Sequence, residues 1–260
     1  MEVFSFLGIA FALLLWFRSY RALFKVRQFH TNKWHRSLLA TLPVLCTLFI
    51  AVILLRWSSP DVRSDTGWTL FYTAGGLAWL QLGLFLLSLT GVAAREDVVE
   101  RQNPAAGWVV YGAMIGTASC YAGSNIGSGP GPEVVLFCAA LSTAFLFGSW
   151  LLLERVFSLA DQVTIERDET AGIRAGGWIL SLGLIFGGAV AGDWVSLEST
   201  IRDFFHYSWV ALLFLLGAMA VERIFRRLMS RRTLMRNASV LVAATYFLAA
   251  VRYVTWRGIH

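Results

Sequence analysis

Four histidines (His30, His35, His206, His260), three cysteines (Cys46, Cys120, Cys138) and 16 carboxylates are the side chains of this 260-residue chain able to bind a metal or move a proton. Their spacing supports little of that chemistry. The histidines form no HExxH pair and combine with no cysteine in a zinc-ligand pattern. Asp203 and His206, three apart, would share one face of a helix, with Asp193 and Glu198 close by in the chain. A carboxylate and a histidine so placed at a polar boundary are more often solvated or hydrogen-bonded than metal-bound. The cysteines form no CxxC pair and stand in apolar stretches, as small buried hydrophobes do. Gly123 to Glu133 holds four glycines and two prolines but lacks the Lys-Ser/Thr of a phosphate loop, and reads as a turn. With no acid, base, nucleophile or metal cluster, the expectation is a chain that is not an enzyme and has no cofactor and no metal site.

The elements around these residues follow from composition. Apolar residues make up 57% of the chain, charged residues 15%, and the mean hydropathy is +0.62. Soluble domains run near 45 to 50% apolar with about a quarter charged, so a soluble globular fold is excluded. Uncharged stretches of 19, 29, 31 and 20 residues lie between Arg36 and Arg56, Asp65 and Arg95, Arg101 and Glu133, and Glu133 and Glu154. A membrane helix needs about 20. With shorter stretches whose flanking side chains can snorkel, eight spans are expected: Val3 to Phe17, Leu38 to Leu55, Trp68 to Thr90, Pro104 to Ser124, Val134 to Leu153, Ala175 to Gly192, Tyr207 to Val221 and Ser239 to Trp256. No ionisable side chain lies deep in them, which leaves no proton relay. Gln81, midway along the third, is the most polar deep side chain, a candidate interhelical hydrogen bond or pore contact.

Basic residues set the orientation, because cytoplasmic loops carry the Lys/Arg excess. The loops after spans one, three, five and seven hold 17 of them against five on the other side. That places both termini outside the cytoplasm. The pI near 9.6 is mostly this topology signal, and nucleic-acid binding is not expected.

The fourth and sixth spans align at an offset of 65 residues. Ala106-Gly107 falls on Ala171-Gly172, Gly112 on Gly177, Gly123 on Gly188 and Gly127 on Gly192. That period divides the chain into four hairpins, about 1–66, 67–127, 128–196 and 197–260, with an even number of spans in each, so the repeats are parallel. The expected fold is an all-α membrane protein of about eight transmembrane helices in four parallel hairpin repeats. Gly107, Gly112, Gly116, Gly172, Gly177, Gly183 and Gly187 are its candidate packing residues, since small residues let helices approach closely in lipid.

Asn103-Pro104-Ala105-Ala106, followed by Gly112 and Ile115-Gly116, resembles the Asn-x-Ala-Ala...Gly...Ile-Gly pattern of the YjfL-like family of uncharacterised bacterial inner-membrane proteins. Glu169 to Gly177, continuing to Gly183 and Gly187-Gly188-Ala189, is similar to that family's repeated unit. The resemblance covers residues 95–195 and implies a small multi-pass inner-membrane protein, with no reaction or ligand attached.

The two outer cytoplasmic loops are basic, at +6 and +5, and the central ones mildly acidic, at −1 and −2. A basic amphipathic segment beside a span lies on anionic lipid. Arg18, Arg21, Lys25 and Arg27 in the first loop, and Arg223, Arg226, Arg227, Arg231, Arg232 and Arg236 in the last, are candidate contacts for lipid headgroups and a partner protein or second copy. The expected function is a non-catalytic membrane scaffold or subunit. The alternative is a passive ion channel or small-solute transporter.

Overall fold

The computed structural model describes residues 10–11, 13–21, 33–129, 131–227 and 232–258. Over them the chain is helical, and the described residues contain no strand beyond an isolated bridge between Ser58 and Gly127. Helical residues 13–21 (α1) are followed by α2 (Lys33–Trp57), α3 (Pro60–Ser64), α4 (Thr66–Leu89) and a π-helical turn, Ala94–Glu100. Then come α5 (Pro104–Gly123), α6 (Pro132–Phe157), α7 (Leu159–Thr164), α8 (Glu169–Ala189), α9 (Leu197–Ser208), α10 (Val210–Arg227) and α11 (Arg232–Arg257).

Among the described residues, five helices are long and apolar enough to cross a membrane: Ser37–Trp57 within α2, α4, α6, α8, and Met235–Arg257 within α11. The pair α9 and α10 adds a sixth if its 41° bend belongs to one broken span. Of the expected eight, five or six are borne out by length and composition among the described residues. Most of Val3 to Phe17 lies outside the described residues. The stretch from Pro104 is a 20-residue helix, α5, but its many glycines, alanines, serines and threonines leave it less apolar than the five. The stretch expected from Tyr207 is the second arm of a bent pair that starts at Leu197.

α5 and α8 lie side by side and run the same way: Gly172 lies against Ala105, Gly176 against Trp108, Gly183 against Gly116, and Gly187 against Ser119. α11 follows α8 in the same sense, with Ser239 beside Arg174 and Ala243 beside Gly177. On the far side of α5, α2 ends where α5 ends, the Gly127 N–H donating to the Trp57 carbonyl at 3.0 Å. So α2, α5, α8 and α11 form a row of parallel helices, and α4, α6 and α10 return the chain between them. Indole N–H groups clip these returns in place. Trp79 on α4 donates to Thr143 Oγ1 on α6 (3.0 Å), Trp150 on α6 to Thr90 Oγ1 (2.8 Å), and Trp178 on α8 to the Phe214 carbonyl of α10 (3.0 Å).

The turns leading into α5 and α8 are built alike. The Asn103 side chain caps α5 through Ala105 N–H (3.0 Å), and Asp168 caps α8 through Thr170 N–H (2.9 Å). Arg101 N–H donates to Glu96 O and Asn103 N–H to Asp97 O; Glu166 N–H donates to Asp161 O and Asp168 N–H to Gln162 O, all at 2.9 to 3.0 Å. Gln102 and Arg167, just before the two caps, both adopt positive φ, 51° and 57°. At the other end of the molecule Gly192 N–H donates to the Ile126 carbonyl (3.1 Å), and a side chain on Gly127 would run into the Gly192 backbone. Both glycines have positive φ, a conformation that L side chains rarely adopt.

Candidate functional site

The most concentrated chemistry lies where α8, α10 and α11 meet. Arg174, six residues into α8 because Asp168 starts that helix before the expected Ala175, is buried, with a side chain 3% exposed against 4% for Glu222 of α10. Arg174 Nε and Nη2 each donate to one Glu222 carboxylate oxygen at 2.7 Å. Nη1 donates to Ser239 Oγ of α11 at 2.9 Å and to Thr170 Oγ1 at 3.3 Å, and the guanidinium lies 4.1 Å from the Phe225 ring centroid. Arg174, expected just outside its span, thus lies inside the candidate span Glu169–Ala189, near its start. The pair persists there because it is bidentate and every guanidinium nitrogen has a partner, which is what a buried ion pair requires to offset its desolvation. The cluster joins three helices, α8, α10 and α11.

The glycines occupy the opposite face of α8. A side chain on Gly112 would collide with the Gly176 carbonyl, on Gly172 with the Ala105 carbonyl, on Gly183 with the Gly116 backbone and on Gly187 with the Ser119 carbonyl. Gly116 faces the Ile179 carbonyl, its added carbon 3.0 Å away, and Gly107 is buried in the first turns of α5. Gly177 points elsewhere, at Ala243 of α11.

Of the basic candidates, Arg18, Arg21, Arg223, Arg226, Arg227 and Arg236 are exposed. Arg226 donates to the Phe157 carbonyl, and Arg236 comes within 3.8 Å of the Glu169 carboxylate. Lys25, Arg27 and Arg231 lie outside the described residues, and Arg232 is placed by its backbone as the first residue of α11. The described ones gather at the end of the bundle where α5 and α8 begin, together with exposed Arg95, Arg101, Arg155 and Arg167. Gln81 lines a cleft of about 810 Å³ near that end, and its amide nitrogen is buried with no hydrogen-bond partner.

At the opposite end a polar cavity of about 610 Å³ opens over the joined Gly127 and Gly192 turns. It collects Asp193, Asp203 and His206 with Tyr207 and Arg257, but Asp193 is used by the Ser128 N–H (2.7 Å) and Asp203 faces Arg202 at 3.7 Å. No group of three metal-ligating side chains stands together among the described residues. Cys46, Cys120 and Cys138 are free buried thiols.

Residues 132–253 match the family model described as Domain of Unknown Function (DUF350). No curated protein and no solved structure matches the chain. The DUF350 segment runs from α6 nearly to the end of α11, so it contains Arg174, Glu222 and Ser239 and the α8 side of the glycine contact. It overlaps the stretch of YjfL-like resemblance only over residues 132–195, and it includes the seventh expected span and all but the last three residues of the eighth, which that resemblance left out.

Sequence reading missed the Arg174 cluster because it counted both charges as flanks of spans. The signal was present in the DUF350 segment: Glu222 ends an uncharged run as the lone acid before six arginines, and Ser239 stands 65 residues after Arg174.

Proposed function

We propose that this chain is a non-catalytic scaffold or subunit of a bacterial inner membrane, both termini outside the cytoplasm. Its cytoplasmic end engages lipid headgroups and a partner protein, or a second copy of itself. The observation that carries the reading is a contrast of charge: arginines crowd one end of the helices, exposed, while the charge inside the bundle is neutralised in a satisfied pair. Positive charge at one end of a helix bundle belongs in the cytoplasm and attracts anionic lipid. The matching turns before α5 and α8, with their caps 65 residues apart, favour tandem hairpins, and the glycine contacts between those helices favour a core packed through small residues. Both features suit a member of the YjfL-like family. The test is capture of cross-linked neighbours from intact membranes. Arg223→Gln/Arg227→Gln is expected to lose the captured protein while inserting normally; unchanged capture refutes the partner-docking role.

The second reading, a passive channel or transporter, has one observation in its favour, the unpartnered amide of Gln81 in its cleft. It requires flux across liposomes that Gln81→Leu abolishes.

A further inference from the structure

The cleft at Gln81 has two chemically distinct parts. Its walls, from α1, α2, α4 and α5, are apolar and include Trp16, Leu82, Phe85 and Met114. Its rim, at the basic end of the bundle, carries Arg18, Arg95 and Glu96, all exposed, with Ser88 just below on α4. The walls are firmly held: the Trp16 indole donates to the Leu77 carbonyl (2.8 Å), and the Tyr20 hydroxyl donates to the Ala40 carbonyl (2.7 Å), its phenol held above its ordinary pKa by burial. Gln81 lies two helical turns below Ser88, about 10 Å at 1.5 Å per residue, with an amide N–H that has no protein acceptor. A buried amide left unsatisfied is costly. The missing partner must therefore accept a hydrogen bond, be otherwise apolar, and carry its charged part upward to two guanidinium groups and a carboxylate.

We propose that this cleft holds one phospholipid whose headgroup bears both a phosphate and a primary amine. The assignment rests on the reading of the chain as a membrane protein with its basic end among the headgroups. The phosphate lies between Arg18 and Arg95, whose existing partner Glu100 (2.9 Å) leaves other guanidinium N–H groups available. The ammonium pairs with Glu96, a glycerol ester carbonyl accepts from the Gln81 amide once that side chain turns into the cleft, and an acyl chain covers Leu82 and Phe85. Glu96 decides between headgroups: a purely anionic one meets like charge there, and a quaternary amine offers no N–H to the carboxylate.

The experiment is native mass spectrometry of the full chain, stripped of lipid in detergent and supplied with phosphatidylethanolamine, phosphatidylglycerol or phosphatidylcholine of identical chains. One phosphatidylethanolamine is expected to remain bound, about fivefold or more above the other two, a margin of about 1 kcal/mol. Leu82→Trp, at a side chain 38% exposed, fills the cleft without disturbing the core and should remove that adduct at unchanged thermal stability. Arg18→Gln/Arg95→Gln should weaken it for all three lipids, and Glu96→Gln should bring phosphatidylglycerol up to phosphatidylethanolamine. Equal retention of the three lipids by the wild type, an adduct indifferent to Leu82→Trp, or a second copy of the chain in place of lipid overturns the proposal. Arg223→Gln/Arg227→Gln should leave the adduct intact, so loss of partner capture and loss of the lipid are read separately.

Discussion

Toward α5, helix α8 presents Gly172, Gly176, Gly183 and Gly187, and backbone meets backbone; toward α10 and α11 it presents Arg174, Trp178 and Gly177. The first joint uses almost no side chain, and the second uses the most expensive one available. In lipid there is no hydrophobic drive to bring helices together, so a joint needs either close dispersion contact or polar groups that leave one another no better partner. The glycine joint achieves contact along its whole length. The arginine joint achieves specificity at a point, fixing which helices meet and in what register. One helix carrying both can bind parallel α5 on one side and, on the other, parallel α11 together with the antiparallel return α10, without confusing them.

The largest effect should come from breaking the glycine joint. Gly112→Leu places a side chain where the Gly176 carbonyl lies. Overpacking costs about 1 to 3 kcal/mol even where side chains can yield, and here the obstacle is backbone. Loss of the monodisperse peak in detergent size exclusion is the expected result. Glu222→Leu comes next, leaving the Arg174 guanidinium buried without its carboxylate, a loss of about 3 to 5 kcal/mol. The double variant Arg174→Met/Glu222→Leu should recover much of it, since an apolar pair often replaces a buried ion pair at little cost. Thermal stability in detergent checks both; a double variant no better than the single would show that the pair does more than neutralise itself.

Smaller changes sharpen the contrast. Trp178→Phe removes one indole donor to the Phe214 carbonyl, a net loss of about 0.5 to 1.5 kcal/mol, measurable as a modest fall in melting temperature. Arg223→Gln/Arg227→Gln should change stability by less than about 0.5 kcal/mol, read as an almost unchanged melting temperature in detergent, while the cross-linked neighbour is lost from intact membranes.

The membrane character and all-helical composition were legible from uncharged runs such as Asp65 to Arg95, because hydropathy averages over many residues. Span boundaries were less so. Asp168 begins α8 before Ala175, and only the cap geometry reveals that Arg174 therefore lies inside the helix. Charge counting treats an arginine at a span's edge as solvated; whether it is depends on Glu222, 48 residues away, coming within 2.7 Å. The glycines were visible at their 65-residue offset, but their partners were not. Gly112 meets Gly176 whereas Gly177 turns to Ala243, a distinction of one residue that follows from helix rotation alone. The cleft at Gln81 was beyond reach for a similar reason, since its walls come from four helices distant in sequence.

The α5–α8 joint is shut by backbone contact and the Arg174–Glu222 charge is paired, so the proposed scaffold should hold no open path through its core. The measurement that tests this most directly is ion and small-solute flux through purified protein in liposomes under an imposed potential, beside empty liposomes. The account predicts leakage equal to that of empty liposomes for wild type and Gln81→Leu alike. Wild-type flux above that background, abolished by Gln81→Leu in protein that remains folded, would contradict it and make the cleft a conduction path.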